Sequence, residues 1–169
     1  NDMERLINEL TYYSSIDNNR IPYNFHRINV AEFFADCVED VGLDLESKNI
    51  QLNYSNLVEP DTRIIADPEQ LKKVINNIIG NSIKYMDKEK GVIDIRLLDE
   101  VDSIRVEIED NGKGIAQKDL QKIFERFYRT DASRNSAQGG SGIGLSIVKK
   151  IIEDHGGYIW ATSKESIGT

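Results

Sequence analysis

The chain is poor in the residues that metal and disulfide chemistry require. It has one cysteine, Cys37, and two histidines, His26 and His155. A lone cysteine forms no internal disulfide, which fits a reducing cytoplasm. The histidines share no spacing with a second ligand, so a zinc site is not expected. No apolar run approaches the roughly 20 residues of a membrane-spanning helix. The first residues lack the pattern of a signal peptide, so a membrane anchor would lie in segments absent from this sequence. Cations are also scarce: 21 Lys and Arg stand against 29 Asp and Glu, a net charge of -8. That excludes generic nucleic-acid binding, which needs a cationic surface to displace counterions. A locally cationic pocket for a phosphorylated small molecule is still compatible with it. What is present, 39% hydrophobic and 30% charged residues in 169, suits one globular domain, or one domain with a short appendage.

Met3, Leu6, Leu10 and Tyr13 recur at three- and four-residue steps, the seam of a coiled-coil-type helix. Beginning without a cap, it reads as the end of a longer helix, or else as a core helix of the same domain. Asp17-Asn18-Asn19 and Pro22 break it and set a boundary near residue 19. Asn29 with Glu32 predicts a capped helix burying Phe34, Cys37, Val38, Val41 and Leu45. Ile50–Tyr54 and Arg63–Ala66 are expected as strands. Asp67-Pro68 then opens a second helix, with Leu71, Ile75, Ile78, Ile79 and Ile83 as its buried side. Alternation of Ile93, Ile95 and Leu97, then of Ile104, Val106 and Ile108, predicts a hairpin. A short helix over 116–124, a polar loop over 128–141, a helix over 144–155 stopped by Gly156-Gly157, and a strand over 158–162 complete the chain. Without strict alternation of strands and helices, the expected class is α+β, a mixed β-sheet with helices packed on one face.

Four constellations bear on chemistry. Asn77, Asn81 and Lys84 share one sector of the second helix. Asn is a poor helix former, so the pair is either a solvated face or a set of oxygen donors for a hard cation beside a phosphate-binding lysine. Asp110 falls by parity on the face of Ile104, Val106 and Ile108, where a carboxylate is costly unless it accepts hydrogen bonds. Asn111-Gly112-Lys113-Gly114 follows it, as a simple turn or as the floor of a pocket whose fixed acceptor suits the exocyclic amine of a purine. Gly139-Gly140-Ser141-Gly142-Ile143-Gly144 leads into the last helix, where backbone amides and the helix dipole favour an anion. It is neither a P-loop nor a dinucleotide fingerprint, and Ile143 and Leu145 argue against a flexible linker. Phe124-Glu125-Arg126-Phe127-Tyr128-Arg129 fits a lid over a polyphosphate, or a helix end packing its aromatics.

Taken in order, these motifs closely resemble the catalytic domain of sensor histidine kinases, from about Met3 to the end. The resemblance implies a two-layer α/β sandwich shared with gyrase, heat-shock and mismatch-repair ATPases. Residues 1–19 would end a dimerisation and phosphoacceptor helix, and residues 20–169 would form an ATP-binding domain lacking its final strand. It implies that Asn77 and Asn81 belong to the N box, with Asn81 on Mg²⁺, and that Lys84 and Tyr85 contact the nucleotide. Asp110 would accept from adenine, with Gly112, Gly114 and Ile115 shaping its pocket. Arg129 would reach the phosphates, cradled by Gly140, Ser141, Gly142, Ile143, Gly144 and Leu145. The sequence departs from the family at Ser166, which stands where a glycine is usual and bears on the tightness of that turn.

The implied reaction is transfer of the γ-phosphoryl group of Mg·ATP to a histidine on an upstream domain, for relay to a response regulator. Hydrolytic relatives carry a glutamate as general base one turn before the metal-binding asparagine; here that position is Asn77, an amide. Neither histidine fits as acceptor, since Arg27 follows His26 and Gly156 follows His155. The expected setting is the cytoplasmic part of a membrane-anchored bacterial sensor, a homodimer when full-length. The rival readings are an ATP hydrolase of chaperone type on the same fold, and a non-catalytic module that only senses nucleotide.

Overall fold

A computed structural model of the chain describes residues 21–125 and 144–169. The seam at Met3–Tyr13, the lid residues Arg126–Arg129 and the loop through Gly140, Ser141, Gly142 and Ile143 lie outside the described residues. The elements are β1 (His26–Asn29), α1 (Val30–Ser47), β2 (Ile50–Asn56), β3 (Arg63–Ala66), α2 (Pro68–Lys84), β4 (Gly91–Glu100), β5 (Ser103–Asp110), the single turn α3 (Gln117–Leu120) and α4 (Gly144–Asp154).

Both long helices start where local chemistry puts them. The Asn29 side-chain oxygen accepts from the Glu32 amide at 2.9 Å and caps α1. Asp67 Oδ1 accepts from the amides of Glu69 and Gln70, and its Oδ2 from that of Asn24 at 2.8 Å. The Asp67 amide in turn donates to His155 Nε2 at 3.0 Å. His155 Nδ1 lies 2.7 Å from the Ile151 carbonyl oxygen, so this ring joins the end of α4 to the cap of α2. α4 stops at Gly156, whose φ of +80° is the left-handed conformation of a helix terminus.

The sheet is mixed: β2 and β4 run parallel, β4 and β5 antiparallel, in the order β2-β4-β5. β1 and β3 form a separate antiparallel pair. Val30, Phe34, Cys37, Val41 and Leu45 of α1 pack with Ile75 and Ile79 of α2 on Ile50, Ile93, Ile95 and Leu97 of the sheet. Burial pushes the Cys37 thiol up to about 11, against an opposing pull from Lys72. The other face of the sheet is polar, with Asn53 donating to Asp94 and Arg96 bridging Glu107 and Glu109. This is the α+β sandwich expected, helices on one face.

The structure differs from the sequence reading in several details, among them the strand β1, which was not expected. α2 buries two stripes: Ile75 and Ile79 in the cluster shared with α1, continued by Ser82 at Asp110, and Val74 against Ile147, Val148 and Ile151 of α4 and Ile21. Leu71 is only partly buried. The helix expected over 116–124 shrinks to the four residues of α3, followed by turns. Tyr158–Thr162 forms no strand. Its side chains alternate as a strand's would, with Ile159 tucked into the second cluster. Tyr158 stacks on Trp160, and Arg105 lies over the Trp160 ring, 5.0 Å from its centre. The segment has no ladder partner among the described residues, and alternation alone does not make a strand.

Candidate functional site

β4 and β5 deliver Asp110 to the inner face of the sheet. It pairs with Ile93, as Ile108 pairs with Ile95 and Val106 with Leu97. The carboxylate is compensated by three donors. Ser82 Oγ of α2 donates to Oδ2 at 2.9 Å; the amides of Gly112 and Thr169 donate to Oδ1 at 2.9 and 3.2 Å. Two backbone donors and a hydroxyl hold the group in one orientation.

The turn after Asp110 is fastened on both sides. Asn111 behaves as an extra backbone unit of the sheet: its Oδ1 accepts from the Val92 amide at 2.8 Å and its Nδ2 donates to the Lys90 carbonyl at 3.0 Å. The Lys113 amide donates to the carbonyl of Tyr85, the residue capping α2, at 3.0 Å. A Cβ on Gly112 would stand 2.7 Å from that same oxygen, and one on Gly114, where φ is +75°, would collide with the Lys164 carbonyl. Both glycines therefore serve close approach between backbones of the protein itself.

The C-terminal turn packs against this loop. The Ile115 amide donates to Ser163 Oγ at 2.7 Å, the Ser166 amide to the Lys113 carbonyl at 2.7 Å, and the Asp110 amide to the Thr169 carbonyl at 2.7 Å. Lys164 and Gly168 close the turn in an isolated antiparallel bridge. The turn is thus tight despite Ser166, which adopts a φ of +69°.

α2 carries the remaining sequence candidates. Asn77 and Asn81 are half-buried one turn apart, and neither amide makes a hydrogen bond among the described residues. A Cβ on Gly144, at the start of α4, would lie 3.8 Å from Asn77 Oδ1, which brings two of the predicted motifs together. Ser82 follows Asn81, so a single turn of α2 serves both the amide pair and Asp110. Lys84 and Lys113 each hold their ammonium 5.5 Å from the centre of the Tyr85 ring, and Lys88 Nζ reaches the Gly112 carbonyl at 3.3 Å. Three lysines thus gather around Tyr85 and Gly112 on a chain of net charge -8, Lys88 also pairing with Asp87 at 2.9 Å. Leu145 packs in the cluster between α2 and α4, and Ile115 is half-buried beside Ser163. Among the described residues no group of three or more His, Cys, Asp or Glu could hold a metal ion. His155 has both ring nitrogens in contacts that join two helices, and His26 lies exposed on β1.

Sequence reasoning missed Ser82, Ser163 and Thr169. Ser82 left a signal, being the one polar residue in the stripe Ile75, Ile79, Ser82. The other two act through contacts made far along the chain and left none.

A family model described as histidine kinase-, DNA gyrase B-, and HSP90-like ATPase matches residues 66–169. The sensor histidine kinase WalK of Bacillus subtilis is 33% identical over 168 residues, which are 99% of this chain and 27% of that protein. The chain thus spans about a quarter of the length of this relative. Among solved structures, the catalytic domain of the histidine kinase ThkA in a nucleotide-free form superposes with a TM-score of 0.72 at 30% identity, over 86% of this chain and 91% of that one. The histidine kinase AdeS of Acinetobacter baumannii shares the fold, with a TM-score of 0.74 at 21% identity over 98% and 74% of the two chains.

Proposed function

The chain belongs to the histidine kinase-, DNA gyrase B-, and HSP90-like ATPase family, and on that premise we propose that it binds Mg·ATP and donates the γ-phosphoryl group to a histidine outside residues 20–169. The observation that carries the proposal is the Asp110 carboxylate, fixed by three donors on the inner face of the sheet with acceptor capacity left on Oδ2. An amine-bearing base is the ligand such an acceptor suits, and the lysines at Tyr85 and Gly112 suit its phosphates. Asn77 and Asn81 offer uncommitted amide oxygens of the kind a hard cation takes, and Asn81 would hold Mg²⁺ together with phosphates and water. The ion when bound would neutralise charge on the phosphates.

In the transfer the bond from the γ-phosphorus to the β,γ-bridging oxygen breaks and a bond to an imidazole nitrogen forms, leaving ADP. The one acceptor site left on Asp110 is taken by the amine of the base, and Asn77 cannot accept a proton, so neither activates water. This favours a protein nucleophile over hydrolysis. The acceptor would stand on the dimerisation helix that residues 1–19 are expected to end. The phosphoryl group would pass to an aspartate of a response regulator, within a homodimeric sensor whose kinase part faces the cytoplasm.

Calorimetric titration of Mg·ATP into the wild-type chain and Asp110→Asn tests the reading. The variant is expected to lose at least tenfold in affinity, as for a lost charge-assisted hydrogen bond. Equal affinity would refute adenine recognition at Asp110. Steady ATP turnover by this chain alone would favour the hydrolase instead.

A further inference from the structure

We infer that Ser163 is a positioning residue for base recognition: its hydroxyl seats Thr169 so that Asp110 presents a single oxygen to the ligand. The inference rests on the proposed reading of Asp110 as the adenine acceptor. Ser163 Oγ makes three contacts, with the Ile115 amide at 2.7 Å, the Gly168 carbonyl at 2.9 Å and Thr169 Oγ1 at 2.8 Å. A hydroxyl has one hydrogen and two lone pairs. The hydrogen goes to the Gly168 carbonyl, and one lone pair receives the Ile115 N–H. The contact with Thr169 is then a hydrogen bond donated by Thr169. Every valence of the Ser163 hydroxyl is used, two on the backbone of Ile115 and Gly168 and one on the Thr169 side chain.

The effect on the carboxylate follows from the same count. Held by Ser163, Thr169 gives its amide to Asp110 Oδ1, which Gly112 also approaches, and takes the Asp110 amide on its carbonyl. Oδ1 thereby has both of its in-plane sites occupied. Oδ2 receives Ser82 alone and keeps one acceptor site. An acceptor-only group with a single open site welcomes a base edge bearing an amine and repels one bearing a carbonyl. Without Ser163, Thr169 keeps its carbonyl on the Asp110 amide but loses the contact that seats its side chain, so its amide is free to leave Oδ1 and the carboxylate to rotate to a second geometry. The loops would stay joined in its absence, because the Ser166–Lys113 and Lys164–Gly168 contacts do not involve it.

The test is the ratio of Mg·ATP to Mg·GTP affinity in wild type, Ser163→Ala, Thr169→Val and Asp110→Asn, with thermal melts to verify folding. Ser163→Ala and Thr169→Val are each expected to weaken ATP binding about tenfold while GTP changes less than about twofold, so the preference narrows. Thr169→Val keeps the side-chain volume and tests the same joint if Ser163→Ala does not fold. A merely structural serine would lower the melting temperature and weaken both nucleotides alike. If wild type prefers ATP, Asp110→Asn abolishes the preference and both joint variants retain it, the role of Ser163 is refuted while that of Asp110 stands. If Asp110→Asn leaves the ATP affinity unchanged, both are refuted.

Discussion

Asp110 stands opposite Ile93 in the β4–β5 ladder, so a carboxylate ends a row that continues with the apolar pairs Ile108–Ile95 and Val106–Leu97. Ile93 has no exposed surface, and the charge beside it persists because three donors converge on it. Asp110→Ala should therefore destabilise the domain by about 1–3 kcal/mol, the cost of leaving buried donors unpaired. Asp110→Asn, which keeps an acceptor oxygen, should cost less. Urea midpoints for the two variants separate them, and equal midpoints would mean that the donors reach water.

Ser166 occupies the left-handed region at a φ of +69°, where a side chain is unfavourable by roughly 1–2 kcal/mol. Glycine removes that strain but adds freedom to the unfolded chain, offsetting about 0.5–1 kcal/mol. Ser166→Gly is expected to stabilise the domain by up to about 1 kcal/mol. A lowered melting temperature would show that the Ser166 side chain contributes more than its backbone strain costs.

On the open face of the sheet, the Arg96 guanidinium holds the Glu107 carboxyl below its ordinary value, with Arg105 adding to the effect. A depressed carboxyl contributes stability above its unfolded value, near 4.3, and loses it as the pH falls through the folded value. Glu107→Gln should accordingly lower stability at neutral pH and leave it less sensitive to acid below about pH 4. Chemical denaturation at several pH values reads this directly; parallel stability curves for the two proteins would refute it.

The parts legible in the sequence were those with a strict local rule. The period of two put Asp110 on the core side of β5, and both N-caps were readable because a cap bonds only two or three residues ahead. β1 was missed because His26–Asn29 has one apolar residue, and its pairing with Arg63–Ala66 is not a local property. Val74 was missed because one helix faces two partners, and a single-stripe reading of α2 sees only the broader one. Tyr158–Thr162 has a strand's alternation without a ladder to complete it. At the site, the amide pair, the aspartate and the glycines declared themselves by residue type. Ser163 and Thr169 are ordinary residues whose roles come from where the chain returns.

The glycines of the turn after Asp110 carry a consequence for mutational mapping. Gly112 passes within a methyl's reach of the Tyr85 carbonyl, and Gly114 within that of Lys164. Alanine at either position would wedge apart two protein backbones before a nucleotide arrived. A variant of Gly112 or Gly114 that no longer binds ATP would thus be silent about contact with the ligand, since a displaced helix end or C-terminal turn gives the same phenotype. Ligand contact in this turn has to be tested through side chains.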